Sequence, residues 1–232
     1  MQIIQCKVEK IEALTDTIKR VVLVPDSPLN FIAGQYLQVV MGESDRRPFS
    51  IANAPRPDGT VELHIGAEPG NQYAGQVIDK MVKEQVISVE GGLGKAFLRQ
   101  AETNTTILLA GGTGFSYTLS LLQQLLSKPL EGAVCLYWGT RTIADMYAFD
   151  ELNALMQQHS LFTFIPVVEF PEANWMGKTG RVHQAVLEDV QDLTNCNVYV
   201  AGRFEMAKVV REDFGKRGLP TTSLFGDAYA FI

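Results

Sequence analysis

The chain has 232 residues, and at roughly 150 residues per domain this length corresponds to one large domain or two of ordinary size. A composition of 46% hydrophobic and 20% charged residues is typical of a globular protein and excludes disordered, collagen-like and disulfide-rich chains. The formal net charge of -6 repels phosphate backbones and anionic lipids, so we expect neither a nucleic-acid partner nor a membrane surface.

The first residues and the cysteines bear on the location of the protein. Residues 1–9 mix polar and apolar side chains, unlike a secretory signal or a transmembrane span. Cys6, Cys135 and Cys196 lie far apart within apolar runs, which is typical of reduced core thiols and not of an iron-sulfur or zinc motif. We therefore expect a cytoplasmic protein.

Up to about residue 100 the chain consists of short alternating or β-branched runs separated by turns. Strands are predicted over residues 6–13, 17–24, 36–41, 48–52, 61–65 and 86–89. A helix is predicted over residues 72–82, where Tyr73, Val77, Ile78 and Met81 are spaced to share one face. This pattern predicts an antiparallel β-barrel domain over residues 1–100.

After residue 103 apolar strands alternate with amphipathic helices. The predicted strands cover residues 106–110, 133–138, 162–168 and 197–201, and the predicted helices cover residues 115–126, 149–158, 182–190 and 204–214. Such alternation favours a parallel sheet with helices on both faces. Residues 101–232 are therefore expected to form an α/β domain.

The strongest local motif is a glycine-rich turn between a buried strand and a helix, formed by Gly111, Gly112, Thr113 and Gly114. Such a turn lets the backbone approach a ligand and directs helix N–H groups at an anion such as a pyrophosphate. A tight turn without a ligand is the alternative. The G-x-G-x-x-G fingerprint fails because Tyr117 stands at its third glycine, so the motif indicates a nucleotide site of another lineage or none.

Two further segments follow strands and are expected at the same edge of the sheet, where open α/β folds bind ligands. In them, Arg141 and Arg203 could hold phosphates and Phe204 could stack on a base, while Gly202 leads into the last predicted helix. Taken singly, each segment is more often structural. Three segments at one edge favour a site.

In the barrel half, the unusual sequence is Arg46-Arg47-Pro48-Phe49-Ser50. A proline in a strand indicates an edge or an interrupted ladder, where the neighbouring serine could face a ligand. A polar turn entering a strand is the alternative. Elsewhere, His64, His159 and His183 lack metal-ligand spacing, and no hydrolytic triad or metal centre is predicted.

Together, Arg47-Pro48-Phe49-Ser50 in a barrel and Gly111-Gly112-Thr113-Gly114 in an α/β domain resemble the ferredoxin-NADP reductase superfamily. In that superfamily the barrel binds a flavin and the second domain binds NAD(P)H. Residues 110–117, 201–207 and 224–232 are similar to the bacterial NAD(P)H-flavin reductases within it. The resemblance extends over the whole chain.

The resemblance implies roles for particular residues. Arg47, Pro48, Phe49 and Ser50 would line the flavin, with the Ser50 hydroxyl bonded to the N5 region. Gly111, Gly112 and Gly114 would cradle the nicotinamide nucleotide, and Thr113 would lie near the nicotinamide ring. Ser50 and Thr113 are then the candidate catalytic residues, and Arg141, Gly202, Arg203 and Phe204 are further candidate nucleotide contacts.

This chain departs from the family pattern at two places. Ala201-Gly202-Arg203 replaces the usual Cys-Gly-Pro, a substitution that the flavin reductases share, and it leaves the thiol role unfilled. Gly91-Gly92-Leu93-Gly94 replaces a Pro-His-Gly sequence, so a loop near the flavin is expected to differ.

The implied activity is hydride transfer from NADH or NADPH to riboflavin, FMN or FAD. Family members that retain FAD have a hydroxyl-bearing turn at its pyrophosphate, whereas the corresponding residues 66–71 of this chain contain Glu68 and no Ser or Thr. The resemblance therefore implies that the flavin is a dissociable substrate. Reduced flavin would then reach flavin-consuming enzymes or ferric acceptors. The alternatives are an electron-transfer subunit with permanently bound FAD, and a nucleotide-binding regulatory module without turnover.

Overall fold

The structure, a computed structural model, describes residues 2–99 and 104–232. The chain divides into two compact units, one containing Met1–Leu98 with Leu119–Gln124 and the other containing Arg99–Thr118 with Leu125–Ile232. The predicted domain boundary between residues 100 and 101 lies outside the described residues and stays a prediction. The sequence patterns do not predict that Leu119–Gln124 would group with the first unit.

The first unit is an antiparallel barrel. Its strands are β1 (Ile4–Ala13), β2 (Ile18–Pro25), β3 (Tyr36–Val40), β4 (Arg46–Ser50), β5 (Val61–Gly66) and β6 (Val86–Leu93), in the spatial order β4-β3-β6-β1-β2-β5. A bridge between Ile51 and Leu63 joins the two ends of this order, and the Ala52 N–H donates to the Glu62 carbonyl at 2.7 Å. The predicted antiparallel barrel is confirmed.

Helix α1 (Gln72–Glu84) packs on the barrel core through Ala74, Val77 and Met81. The side chain of Asn71 caps the helix by accepting the Ala74 N–H at 3.3 Å. The prediction that Tyr73 lies on the apolar face is wrong, because Ala74 takes the buried position. Tyr73 is 48% exposed and its ring lies over the guanidinium of Arg47.

The second unit is a parallel sheet with helices. The main elements from residue 104 onwards are β7 (Thr105–Gly111), α2 (Phe115–Leu126), β8 (Val134–Thr140), α3 (Phe149–Gln158), β9 (Phe162–Val168), β10 (Lys178–Thr179), α4 (Val182–Asp189), β11 (Cys196–Ala201), α5 (Phe204–Lys216) and β12 (Leu224–Phe225). Helix α2 is divided between the units, because its residues Leu119–Gln124 group with the first unit. The order β10-β9-β8-β7-β11-β12 is parallel at every pairing, which confirms the α/β prediction. The strands β10 and β12 are not predicted from the sequence, because two residues are too few to show a periodicity.

All six barrel strands differ from their predicted bounds by one or more residues, and the differences at β4 and β6 affect the candidate site residues. Strand β4 starts earlier, at Arg46, because Arg46 and Arg47 already pair with β3. Strand β6 continues to Leu93 through the glycines that were expected to form a loop. Gln35 holds this end of the strand, since its amide nitrogen donates to the carbonyl of Gly92 at 3.0 Å.

Residues 2–99 and 104–232 contain neither a membrane-spanning helix nor a cluster of metal-binding side chains. No helix there is long and apolar enough to cross a membrane. No group of three His, Cys, Asp or Glu side chains there could hold a metal ion.

Candidate functional site

Strand β4 carries the first group of predicted site residues, and it stands at one end of the strand order. Ser50 pairs with Tyr36 of β3 and is half-buried. Within the described part of the chain, the Ser50 hydroxyl makes no hydrogen bond. Pro48 is exposed, as the prediction of an edge strand requires, and Phe49 packs against the barrel core. The hydroxyl of Ser50 is therefore partly exposed and available to hydrogen-bond a ligand.

Arg47 is buried, and its guanidinium is held by other side chains and a backbone carbonyl. The Asp45 carboxylate accepts from Nε at 3.0 Å and from Nη2 at 2.6 Å. Nη1 donates to the Tyr73 carbonyl at 2.6 Å and Nη2 donates to Gln76 at 2.8 Å. The hydrogen bonds from Arg47 hold the pKa of Asp45 below its usual value. The structure thus ties Arg47 to Asp45 and to the first turns of α1.

The glycine turn of the second unit links β7 directly to α2. Residues 112–114 form a single 3-10 turn, and Gly112 has φ of 55°, a conformation that side chains disfavour. A Cβ on Gly114 would lie 2.3 Å from the carbonyl oxygen of Ala201, so only glycine fits against this backbone. Thr113 is exposed, and its hydroxyl has no hydrogen-bond partner among the residues described.

An aromatic cluster that the sequence analysis did not single out supports this turn. The indole nitrogen of Trp138 donates to the Gly112 carbonyl at 3.0 Å. The Trp138 ring stacks on Phe115 with centroids 3.9 Å apart, and Tyr147 meets both rings edge-on. The signal in the sequence was a tryptophan at the end of a buried strand, which normally finds a partner for its N–H when it is buried.

The three predicted segments lie at one edge of the sheet, as expected. Gly111 pairs with Gly139 of β8, and Ala110 pairs with Ala201 of β11. A Cβ on Gly202 would lie 3.5 Å from the Cα of Gly111, so the turns after β7 and β11 are in contact. The ends of three adjacent parallel strands therefore meet at this edge.

Charged and aromatic side chains are available at this edge. Arg141 and Arg203 are exposed, and neither forms an ion pair with any acid in the described residues. Phe204, at the start of α5, is 50% exposed and meets Phe231 edge-on at 6.2 Å. In the first turn of α2, the buried hydroxyl of Ser116 has no hydrogen-bond partner in the described chain. The sheet edge that carries the glycine turn thus also carries two arginines that could bind an anion and an exposed aromatic ring.

Comparisons with known proteins match the two halves of the chain to two different families of domain. The family model of an oxidoreductase FAD-binding domain matches residues 5–98, and that of an oxidoreductase NAD-binding domain matches residues 108–212. Among solved structures, a cytochrome P450 reductase from Amycolatopsis matches with a TM-score of 0.86 at 24% identity, over 97% of this chain and 69% of that chain. A ferredoxin reductase in carbazole 1,9a-dioxygenase matches with a TM-score of 0.84 at 22% identity, over 98% of this chain and 69% of that chain. These likenesses establish the fold.

Curated relatives are similar over the whole chain. The NAD(P)H-flavin reductase of Aliivibrio fischeri is 46% identical over 235 residues, with 99% of each chain covered. That of Vibrio harveyi is 43% identical with the same coverage. The chain therefore belongs to the NAD(P)H-flavin reductase family of FAD- and NAD-binding oxidoreductases.

Proposed function

We propose that this protein transfers a hydride from NADH or NADPH to a free flavin. The observation that carries the proposal is Ser50, whose half-buried hydroxyl lacks a hydrogen-bond partner within the described chain. It stands on the end strand of a barrel that matches an FAD-binding domain, in a chain that also has a glycine turn suited to a dinucleotide.

The chemistry requires little from ionisable side chains. NAD(P)H and one proton from water convert the flavin to its reduced form, and the hydride moves from the nicotinamide C4 to the flavin N5. The protein contributes alignment of the two rings and a hydrogen bond to the receiving nitrogen. We assign that hydrogen bond to the Ser50 hydroxyl, and we assign Thr113 to a position near the nicotinamide ring.

The second unit would bind the rest of the dinucleotide. Backbone N–H groups at the start of α2 suit a pyrophosphate, because the helix dipole favours an anion there. Gly111, Gly112 and Gly114 would let the phosphates approach the backbone. Arg141, Gly202, Arg203 and Phe204 lie at the same sheet edge, where the arginines would contact phosphates and the phenylalanine a base.

Tight binding of a flavin between turnovers would need groups that bind its phosphates, and three candidate residues do not supply them. Glu68 is exposed in the turn before α1, where it would repel a phosphate, and Asn71 is used as the helix cap. Arg47 is committed to internal acceptors. We therefore infer that flavin binds as a substrate, is reduced and leaves. Reduced flavin would supply flavin-dependent enzymes or ferric acceptors, and the free thiols fit a cytoplasmic setting.

An oxidation assay, an absorption spectrum after dialysis and a nucleotide titration together test the proposal against both alternatives. Oxidation of NADH and NADPH at 340 nm is followed with no addition and with riboflavin, FMN or FAD. We expect a nearly colourless protein whose activity depends on added flavin. A stoichiometric flavin spectrum that survives dialysis would support the electron-transfer flavoprotein instead. Nucleotide binding without oxidation under any condition would support the regulatory module.

A further inference from the structure

Both arginines at the start of β4 are paired with acidic side chains. The Nε of Arg46 lies 3.5 Å from the Glu90 carboxylate, and Nη2 of Arg47 lies 2.6 Å from the Asp45 carboxylate. These four charges cancel. The strand that leads to Ser50 therefore presents no net positive charge to a flavin phosphate, although its sequence contains adjacent arginines.

The Arg47–Asp45 pair is asymmetric in its exposure. The Arg47 side chain is only 10% exposed, whereas that of Asp45 is 42% exposed. Two other acceptors, the Tyr73 carbonyl and Gln76, hold the guanidinium against α1. The carboxylate thus covers the remaining hydrogen-bonding edge of a fixed guanidinium. A phosphate uses the same forked geometry as a carboxylate, so the two compete for that edge.

We propose that Asp45 determines flavin specificity, because its bidentate pair withholds the Arg47 guanidinium from the phosphate of the flavin tail. The site then recognises the isoalloxazine ring and is indifferent to the tail. This inference rests on the proposed function and names the residue that lets riboflavin, FMN and FAD serve alike. A phosphate could reach Arg47 only by displacing Asp45, and the displaced carboxylate would remain close in the chain and repel it.

The test measures flavin binding alone, without nicotinamide. Riboflavin and FMN are titrated with the full-length protein, and quenching of flavin fluorescence gives a Kd for each. In the wild type we expect the two Kd values to agree within about threefold. Asp45→Asn keeps the size of the side chain and removes its charge. It should tighten FMN binding by about tenfold relative to riboflavin.

Two further variants separate release of Arg47 from other effects. Glu43→Gln removes one negative charge from an exposed residue of the same turn, and no ion pair of Glu43 occurs in the described structure. It should change the ratio of FMN to riboflavin affinity by less than about twofold. Asp45→Ser, which lacks the amide, should shift the ratio in the same direction as Asp45→Asn. Melting temperatures show that each variant is folded.

The outcomes are distinguishable. If the wild type binds both flavins and neither Asp45 variant favours FMN, or if Glu43→Gln favours it equally, the inference about Asp45 is wrong while the proposed function stands. If the wild type already binds FMN about tenfold more tightly than riboflavin, Arg47 is not withheld and the inference is again wrong. If the wild type binds no flavin, the proposed function and the inference fail together.

Discussion

The indole nitrogen of Trp138 and the carbonyl oxygen of Gly112 are joined by a hydrogen bond of 3.0 Å. This bond links the end of β8 to the residue of the glycine turn that has a positive φ. Because the Trp138 ring also stacks on Phe115, one side chain fixes both the turn and the first residue of α2. The position of the turn is thus set by a neighbouring strand.

Trp138→Phe should weaken nucleotide binding selectively. The change removes the N–H donor and keeps an aromatic ring for stacking, so the expected loss is about 1 kcal/mol, or five- to tenfold in KM for NADH. The KM for flavin should stay within about twofold of wild type. Steady-state kinetics with each substrate varied in turn measures both constants.

Tyr137→Phe is the matched control for that variant. It removes the hydrogen bond from the Tyr137 hydroxyl to Asp189, which is 3.1 Å long and involves the neighbouring residue of β8. Equal increases in KM for NADH in the two variants would mean that the effect reflects general loosening of β8.

Ser50→Ala should lower turnover far more than it weakens flavin binding. A hydrogen bond to N5 strengthens as the hydride arrives, and loss of such a bond typically reduces the rate by about 10- to 1000-fold. Single-turnover flavin reduction and a separate flavin titration give the two quantities. Ser44→Ala, in the exposed turn before β4, serves as control. A turnover within about twofold of wild type would remove Ser50 from the reacting atoms.

Gly114→Ala should destabilise the protein and impair nucleotide binding. The added Cβ would meet the Ala201 carbonyl at 2.3 Å, and because that oxygen belongs to the backbone the turns must separate. We expect about 1 to 3 kcal/mol less unfolding free energy, measured by urea denaturation. Gly215→Ala in α5 is the matched control, since a Cβ there meets no atom within 4 Å. It should stabilise the helix by about 0.5 to 1 kcal/mol.

Both nucleotides should serve as hydride donors. Strand β8 does not end in an acidic residue, which would bind the 2′-hydroxyl of NADH and repel the 2′-phosphate of NADPH. We therefore expect kcat/KM for the two nucleotides to differ by less than about 100-fold. Arg141→Ala should reduce kcat/KM for NADPH more than for NADH, with Arg203→Ala compared in parallel. Equal losses for the two nucleotides would assign Arg141 to the shared pyrophosphate or to the fold.

Acid should destabilise the barrel through Glu62. Burial raises the pKa of Glu62, but hydrogen bonds from His64 and Arg20 outweigh it and lower that pKa to about 2. A folded-state pKa below the unfolded value means that this stabilisation is complete above about pH 4.5 and is lost as the pH falls towards 2. The unfolding free energy of the wild type should drop by up to about 3 kcal/mol over this range from this group.

Glu62→Gln removes the ionisable group from this network. Its unfolding free energy should be lower than that of the wild type at pH 7 and should fall less between pH 5 and pH 2. Glu84→Gln, at an exposed carboxylate of α1, should follow the wild-type curve. Parallel curves for wild type and Glu62→Gln would show that other groups govern acid unfolding.

Sequence periodicity predicts the elements well, because alternation along strands and helical spacing are local properties. The bounds of α2, α3 and β9 match the structure, and the glycine turn shares an edge with the two segments after β8 and β11, as expected. The commitment of Arg47 could not be predicted, since its acceptors on α1 lie far away in the chain. The contact of Trp138 with Gly112 could not be predicted either, because a buried indole N–H indicates that an acceptor is needed but not which residue supplies it.

The junction that closes the barrel offers a reporter of ligand binding. After Ser50, the chain from β4 pairs with β5 only through a bridge between Ile51 and Leu63 and a hydrogen bond from the Ala52 N–H to the Glu62 carbonyl. A short junction of this kind opens more readily than a full ladder, so its amides should exchange with deuterium faster than those between β1 and β2. A flavin bound beside Ser50 would stabilise the closed form of the junction and so slow the exchange of its amides. The Ala52 amide should therefore become a slow-exchanging site in the presence of flavin.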